Sequence, residues 1–271
     1  VRAAAAHLGL ATATPIALKA FAEQLRELAP DACIVCSYGR IVPQALLDAA
    51  PVWLNVHPSL LPLYRGATPI QTAIRDGATR TGVTIIAMDA GMDSGDIVAQ
   101  SPPVPIGETE TYVALHDRLA TLSATMLTKV LDAFAAGSLP RTPQNDALAT
   151  FTSPFGKDDY RLIPGLTAKQ TVDRIRSVAP RPGLKTGEDS GLPRFTLLRA
   201  HVTNASPLRP DVGARSGSVI AHRGYLFIAA TDGWVAVDEL IMAGGRPTDA
   251  AAFARGHAQM TGPLPSEAFA S

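Results

Sequence analysis

The chain has 271 residues, 46% of them apolar and 18% charged, enough apolar material for one large or two ordinary domains. Formal charge is zero and the pI is near 7.2, which excludes the strongly basic footprint of a protein that coats nucleic acid. The balance is uneven, however. Residues 1–149 hold 10 Lys and Arg against 13 Asp and Glu, and residues 150–271 hold 14 against 11, so a polyanion would prefer the C-terminal part.

Taken in order, residues 1–13 read as the end of a helix leading into a short strand. Thr14-Pro15 is a helix start, with apolar Ile16, Leu18, Phe21, Leu25 and Leu28 on one face and Pro30 as the stop. Residues 31–37 form a strand whose near-continuous apolar run suits a parallel strand covered on both faces. The strand holds the only cysteines, Cys33 and Cys36. Their spacing suggests zinc or redox chemistry, but positions three apart on a strand face opposite sides, and no second pair exists. They read as core cysteines of a protein in a reducing compartment, without disulfides. No stretch is long and apolar enough to span a bilayer, and the alanines at 3–6 lack the apolar run of a secretory leader.

A turn at Tyr38–Pro43 leads to a short helix, Gln44–Asp48, and then to a strand at Val52–Asn55. Strand, helix and strand at this spacing predict a βαβ unit, whose ligands sit beyond the carboxyl ends of the strands. Asn55 and His57 lie there, two positions apart and therefore on one side. Thr68–Asp76 reads as a helix closed by Gly77. Residues 83–88 and 97–99 are strands joined by a loop carrying Asp89, Asp93, Ser94-Gly95 and Asp96. A calcium loop would need a twelfth-position Glu and flanking helices, and both are missing, so no metal site is expected. A hairpin is expected instead, with Asp93 either functional or only capping the turn.

A long helix runs from Thr109 to Ala136. Residues 138–150 read as a linker between a first domain, 1–137, and a second, 151–271. The second domain opens with a capped helix, Thr167–Val178, followed by strands near 194–201, 216–222, 225–230 and 234–241. Short strands with glycine turns predict a small barrel or sandwich. The last ten residues, with Pro263 and Pro265, read as a loose tail.

Asn55, His57 and Asp93 form a candidate catalytic trio. A G-x-S-x-G nucleophile elbow is absent, and the cysteines read as core. What remains suits transfer of an activated carbonyl group to an amine. That chemistry uses a donor at a developing oxyanion, a base near the attacking nitrogen, and two substrates held in contact. Residue types alone leave the substrates open. They also leave His57 open as a satisfied core histidine and Arg65 as a solvated loop arginine.

Six segments carry a resemblance: SYGRIVPQALLDA at 37–49, LNVHPSLLP at 54–62, YRGATPIQ at 64–71, TGVTI at 81–85, MDAGMDSGDI at 88–97 and RSVAPRPG at 176–183. With them the chain resembles the folate-dependent formyltransferases, and among these the methionyl-tRNA formyltransferase family. The resemblance implies an α/β fold: a Rossmann-like catalytic domain and a small OB-like C-terminal β-barrel that helps hold tRNA. It implies a cytoplasmic monomer that moves a formyl group from 10-formyltetrahydrofolate to initiator methionyl-tRNA, without a metal. Asn55, His57 and Asp93 would be catalytic. Folate would lie against Ser37, Tyr38, Gly39, Ile41, Val42 and Pro43, against Ser59, Leu60, Leu61 and Pro62, and against Asp89 and Gly91. Arg65 and Gly66 would meet the acceptor.

The family also carries an earlier segment with the first strands, a GTPEF-like turn and a basic loop. The resemblance therefore implies a first domain, 1–137, lacking those strands, and so a poorly stable, nearly inactive chain. Leu63 stands where the family has Arg. Rival readings are formyl transfer to a small amine, such as a glycinamide ribonucleotide or an amino sugar, and a non-catalytic folate- or RNA-binding protein.

Overall fold

The computed structural model describes residues 1–16, 18–39, 41–186, 194–208 and 213–256. The expected tail with Pro263 and Pro265 lies outside the described residues. In chain order the first part comprises α1 (Arg2–His7), α2 (Leu18–Leu28), β1 (Cys33–Cys36), α3 (Gln44–Leu47), β2 (Trp53–His57), β3 (Arg65–Gly66), α4 (Pro69–Arg75), β4 (Arg80–Thr81), β5 (Thr84–Ala87), β6 (Ile97–Gln100), β7 (Val104–Pro105) and α5 (Tyr112–Ala135). Residues 8–13 form no strand, and α2 begins only at Leu18, beyond Thr14-Pro15.

The central sheet has the order β1-β2-β5-β6. β1 and β2 are parallel, as the βαβ spacing requires, with Val35 opposite Asn55. β5 runs antiparallel to both β2 and β6. Two helices cover the sheet through one apolar cluster, in which Leu54 and Ile85 meet Ile74 of α4 and Leu115 and Leu119 of α5. Thr111 caps α5, its hydroxyl accepting from the Ala114 N–H. β1 differs from expectation. It is an edge strand, with Ile34 and Cys36 exposed and Cys33 and Val35 half-buried. A continuous apolar run requires neighbours on both faces only where the sheet supplies them. Cys36 is exposed in this chain, whereas partial burial pushes the Cys33 thiol up.

The second part comprises β8 (Phe151–Thr152), α6 (Ala168–Val178), β9 (Leu184–Lys185), β10 (Phe195–Thr203), β11 (Val219–His222), β12 (Tyr225–Ala229), β13 (Trp234–Met242), β14 (Pro247–Asp249) and α7 (Ala250–Gly256). Five strands follow the antiparallel order β11-β12-β13-β10-β9, and β14 joins at β13, so β11 and β9 stand at opposite ends. Ile175 and Val178 of α6 and Phe253 of α7 pack with Leu197, Ile228, Val235 and Leu240 in its core. Thr167 and Gln170 close a capping box at the start of α6.

The two cores meet where α4 packs on α6. Arg176 of α6, buried, donates to the carbonyls of Gly107 and Glu110 at 3.1 and 3.2 Å and to Asp173 at 2.8 Å. Arg75 of α4 pairs with Asp159 at 2.7 Å and lies 4.6 Å over the Phe155 ring. The segment between the domains is not a free tether. Thr142 exchanges backbone hydrogen bonds with Ile97, and β8 pairs with β3.

Candidate active site

The site forms at the carboxyl end of β2. The strand continues through His57, two residues beyond the span expected from sequence, so Asn55 and His57 emerge from one rigid, ladder-bonded element. Asp93 reaches them from the β5–β6 connection. Its Oδ1 accepts from Asn55 Nδ2 at 2.8 Å. Its Oδ2 accepts from the Gly66 N–H at 2.8 Å and lies 3.5 Å from His57 Nδ1. The aspartate thus does more than cap its turn: the three candidate residues converge on one carboxylate. The second amide hydrogen of Asn55 meets no acceptor among the described residues.

His57 is 4% exposed. Its Nε2 lies 2.8 Å from the Tyr64 carbonyl. A carbonyl only accepts, so Nε2 carries the hydrogen and Nδ1 turns its lone pair toward Asp93. Burial lowers the imidazole pKa, against the opposing pull of the Asp93 charge and the Tyr64 carbonyl. Burial thus favours the neutral, basic ring, and the Asp93 carboxylate beside Nδ1 favours the cation once a proton is taken up.

Two close approaches shape the loops. A β-carbon on Gly66, where φ is +110°, would lie 2.3 Å from the Thr152 carbonyl oxygen. One on Gly95 would lie 1.9 Å from the Ala87 oxygen. Asp93 itself adopts φ +51°, a left-handed conformation rarely taken by a residue with a β-carbon.

Around the trio lie the segments expected to meet folate. Ser37, Tyr38, Gly39 and Ile41 are exposed beyond β1, and Val42 and Pro43 are half-buried before α3. Pro43 precedes the first turn of that helix. The 58–63 loop is pinned from within. Ser59, fully buried, donates to Leu63 O at 2.6 Å, Thr84 donates to Ser59 O at 2.7 Å, and Gln100 donates to Leu61 O at 2.9 Å. Leu60 packs against Gly82, and the Leu61–Pro62 bond is cis. Asp89 is exposed and accepts from the Gly91 N–H at 2.9 Å and from Ser94 Oγ. Among the described residues, no group of three or more His, Cys, Asp or Glu could hold a metal ion.

Arg65 is not a solvated loop arginine. It is 4% exposed, with its guanidinium on Gln144 Oε1 and Asp146 Oδ1. Gln144 in turn donates to the carbonyls of Asp93 and Gly95, each at 2.8 Å. Sequence reasoning missed Gln144, the Tyr64 carbonyl and the Thr84–Gln100 support. Gln144 stands 51 residues from Asp93 in a polar linker, and no local pattern marks it.

The same chain matches the "Formyl transferase" family over residues 4–131 and the "Formyl transferase, C-terminal domain" family over residues 156–258. It is 39% identical to the methionyl-tRNA formyltransferase of Pelobacter propionicus over 241 residues, 88% of this chain and 72% of that protein. It is 38% identical to the enzyme of that name from Halorhodospira halophila, over 97% of this chain and 83% of that one. Among solved structures, HypX from Aquifex aeolicus superposes with a TM-score of 0.64 at 18% identity, covering 94% of this chain and 44% of HypX. An N-formyltransferase from Helicobacter canadensis, in complex with folinic acid and dTDP-3-aminofucose, superposes at 0.59 and 20% identity over 74% of this chain and 70% of that one. Those two likenesses establish the fold. The relatives at 38 and 39% identity establish that this chain belongs to the methionyl-tRNA formyltransferase family.

Proposed function

We propose that Asn55, His57 and Asp93 catalyse formyl transfer to the amino group of initiator methionyl-tRNA, with 10-formyltetrahydrofolate as the donor. Family membership carries the reaction class. The observation that carries the site is the single Asp93 carboxylate bridging Asn55, the Gly66 N–H and His57. The acceptor nitrogen attacks the formyl carbon, and the carbonyl oxygen gains charge. The unused Asn55 amide hydrogen suits that oxyanion. The amine must lose a proton, and His57 Nδ1 is the neutral base nearest the carboxylate. The resulting imidazolium is stabilised by Asp93. Collapse breaks the bond between the formyl carbon and N10, and the proton passes to N10. Atoms and charge then balance without a metal.

In this reading the donor lies along Ser37, Tyr38, Gly39, Ile41, Val42 and Pro43, across Ser59, Leu60, Leu61 and Pro62, and against Asp89 and Gly91. The exposure of the first loop and the internal pinning of the second support it: one face is open and the other is rigid. Gly66 borders the acceptor side. Arg65 serves the acceptor indirectly, through the segment it anchors. Residues 1–137 form the catalytic domain, 138–150 the connection and 151–271 the tRNA-holding domain, whose charge is the more positive. One chain carries the whole trio, which suits a monomer working in the cytoplasm where tRNA is charged. No helix among the described residues is long and apolar enough to cross a membrane.

The test pairs an acceptor comparison with Asn55→Ala. Methionyl-tRNA should be formylated far faster than an amino sugar nucleotide or glycinamide ribonucleotide, and the substitution should lower kcat by about 100-fold with little change in folate affinity. Preference for a small amine would overturn the acceptor, and turnover within threefold of the parent would overturn the role of Asn55.

A further inference from the structure

We propose that Gln144 is a positioning residue for the transfer reaction, fixing the Asp93 loop from the interdomain segment with Arg65 as its anchor. The proposal rests on Asp93 being catalytic. All four hydrogen-bonding positions of the Gln144 carboxamide are used. Nε2 donates to Asp93 O and Gly95 O, each at 2.8 Å, and Oε1 accepts from Arg65 Nε at 3.1 Å and Nη2 at 2.8 Å. Arg65 Nη2 also donates to Asp146 Oδ1 at 2.7 Å. The chain of contacts runs from a buried cation, through one amide, to the backbone that carries the catalytic carboxylate.

That backbone needs holding. Asp93 stands at φ +51°, a left-handed conformation that aspartate tolerates better than most non-glycine residues but that neighbouring contacts still have to hold in place. Gly95 is pressed against the Ala87 carbonyl on the far side. One amide group that captures the carbonyls on both sides of Ser94 sets two peptide planes, and with them the direction in which the Asp93 side chain leaves the loop. The anchor is equally fixed. The Arg65 N–H donates to Thr150 O at 2.8 Å, and the Tyr64 N–H donates to Thr150 Oγ1 at 2.7 Å. The Tyr64 carbonyl is the group that orients His57. The segment leading to the second domain is therefore stitched to both loops that set the trio, while the hydrogen bonds of Gln144 among the described residues go to Arg65 and to loop carbonyls rather than to the trio's side chains.

Gln144→Glu separates this role from a structural one. It preserves the acceptor for Arg65 and replaces the two N–H donors with an oxygen facing two carbonyls. Expected are a fall in kcat of about 30-fold or more, KM for folate and for methionyl-tRNA within threefold of the parent, and a retained cooperative melt. Gln144→Met, similar in size and uncharged, should show the same split, which covers the case in which the glutamate variant does not fold. In an Asp93→Ala background, followed by single-turnover formylation, Gln144→Met should add less than threefold, because its effect passes through Asp93. A Gln144→Met enzyme within threefold of parental kcat, or a full 30-fold further loss in the Asp93→Ala background, would overturn the proposal. Asp93→Ala alone tests the underlying reading. If it retains turnover, the site assignment fails; if it is inactive while Gln144→Met is normal, only the positioning role fails.

Discussion

At the scale of single residues, the informative group is His57. Its pKa is lowered first by burial, with the Asp93 charge and the Tyr64 carbonyl opposing. In the unfolded chain it returns to about 6.5. Above that value the ring is neutral in both states and titration costs nothing. Below it the unfolded chain takes up a proton that the folded ring resists, so stability falls as pH drops from about 6.5 toward the lowered folded value. His57→Gln should flatten that part of the stability–pH curve, measured by urea denaturation between roughly pH 7 and 5. An unchanged slope would mean the ring titrates normally. For catalysis, kcat/KM corrected for protonation of the acceptor amine, which as a free α-amino group titrates at about 7.7–8.0, should hold constant from neutrality down to about 6.5 and fall only below it, where the free enzyme's base becomes protonated. A corrected acid limb centred above about 6.5 would contradict the lowered pKa of the buried imidazole.

At the scale of an element, the β5–β6 connection is built around Gly95. β5 and β6 pair antiparallel with an irregularity between Ile85 and Ile86, and the loop between them folds back on the Ala87 carbonyl. The contact is backbone against backbone, so no side chain can turn aside to relieve it. Gly95→Ala should cost about 1–3 kcal/mol of stability from overpacking. Asp93, two residues away, should move with the loop, and kcat should fall by more than tenfold, since an error near 1 Å costs about 100-fold in rate. Denaturant unfolding together with steady-state kinetics decides this, and a variant with parental stability and turnover would show that the loop has slack. The same connection explains why the hairpin was expected correctly and its chemistry only half seen. Ser94-Gly95 marks a turn locally, but the partners of its carbonyls come from the far side of the chain.

At the scale of the whole molecule, polar side chains dominate where the two cores join. Arg176 and Asp173 are both buried, and Arg176 directs Nη1 to the carbonyls of Gly107 and Glu110 of the other domain. The second Asp173 oxygen is held by Lys169, which is largely exposed. Arg176→Met keeps length and packing but strands two carbonyls and half-strips a buried carboxylate. A loss of about 2 kcal/mol is expected, less than for a fully broken buried pair because Lys169 stays. Chemical denaturation with one fluorescence probe in each domain is the measurement. A loss below about 0.5 kcal/mol would mean that the α4–α6 packing alone fixes the interface.

Features encoded at short range were legible in the chain without coordinates. The period of α5, the capped start of α6 at Thr167, and the parallel pair β1–β2 all follow from spacings of a few residues, although α5 begins at Tyr112 behind Thr111 rather than at Thr109. The pairing of Asn55 with His57 was equally visible, because side chains two apart on a strand must share a face. Other features needed the folded molecule. The exposure of Cys36 depends on which strands flank β1. The burial of Arg65 depends on a linker that closes over it some 80 residues later. The clamp at Gln144 depends on contacts spanning 51 and 79 residues. Periodicity, capping and turn chemistry act within a turn or two of chain, whereas a guanidinium or an amide at a loop is committed only when distant backbone arrives within hydrogen-bond reach.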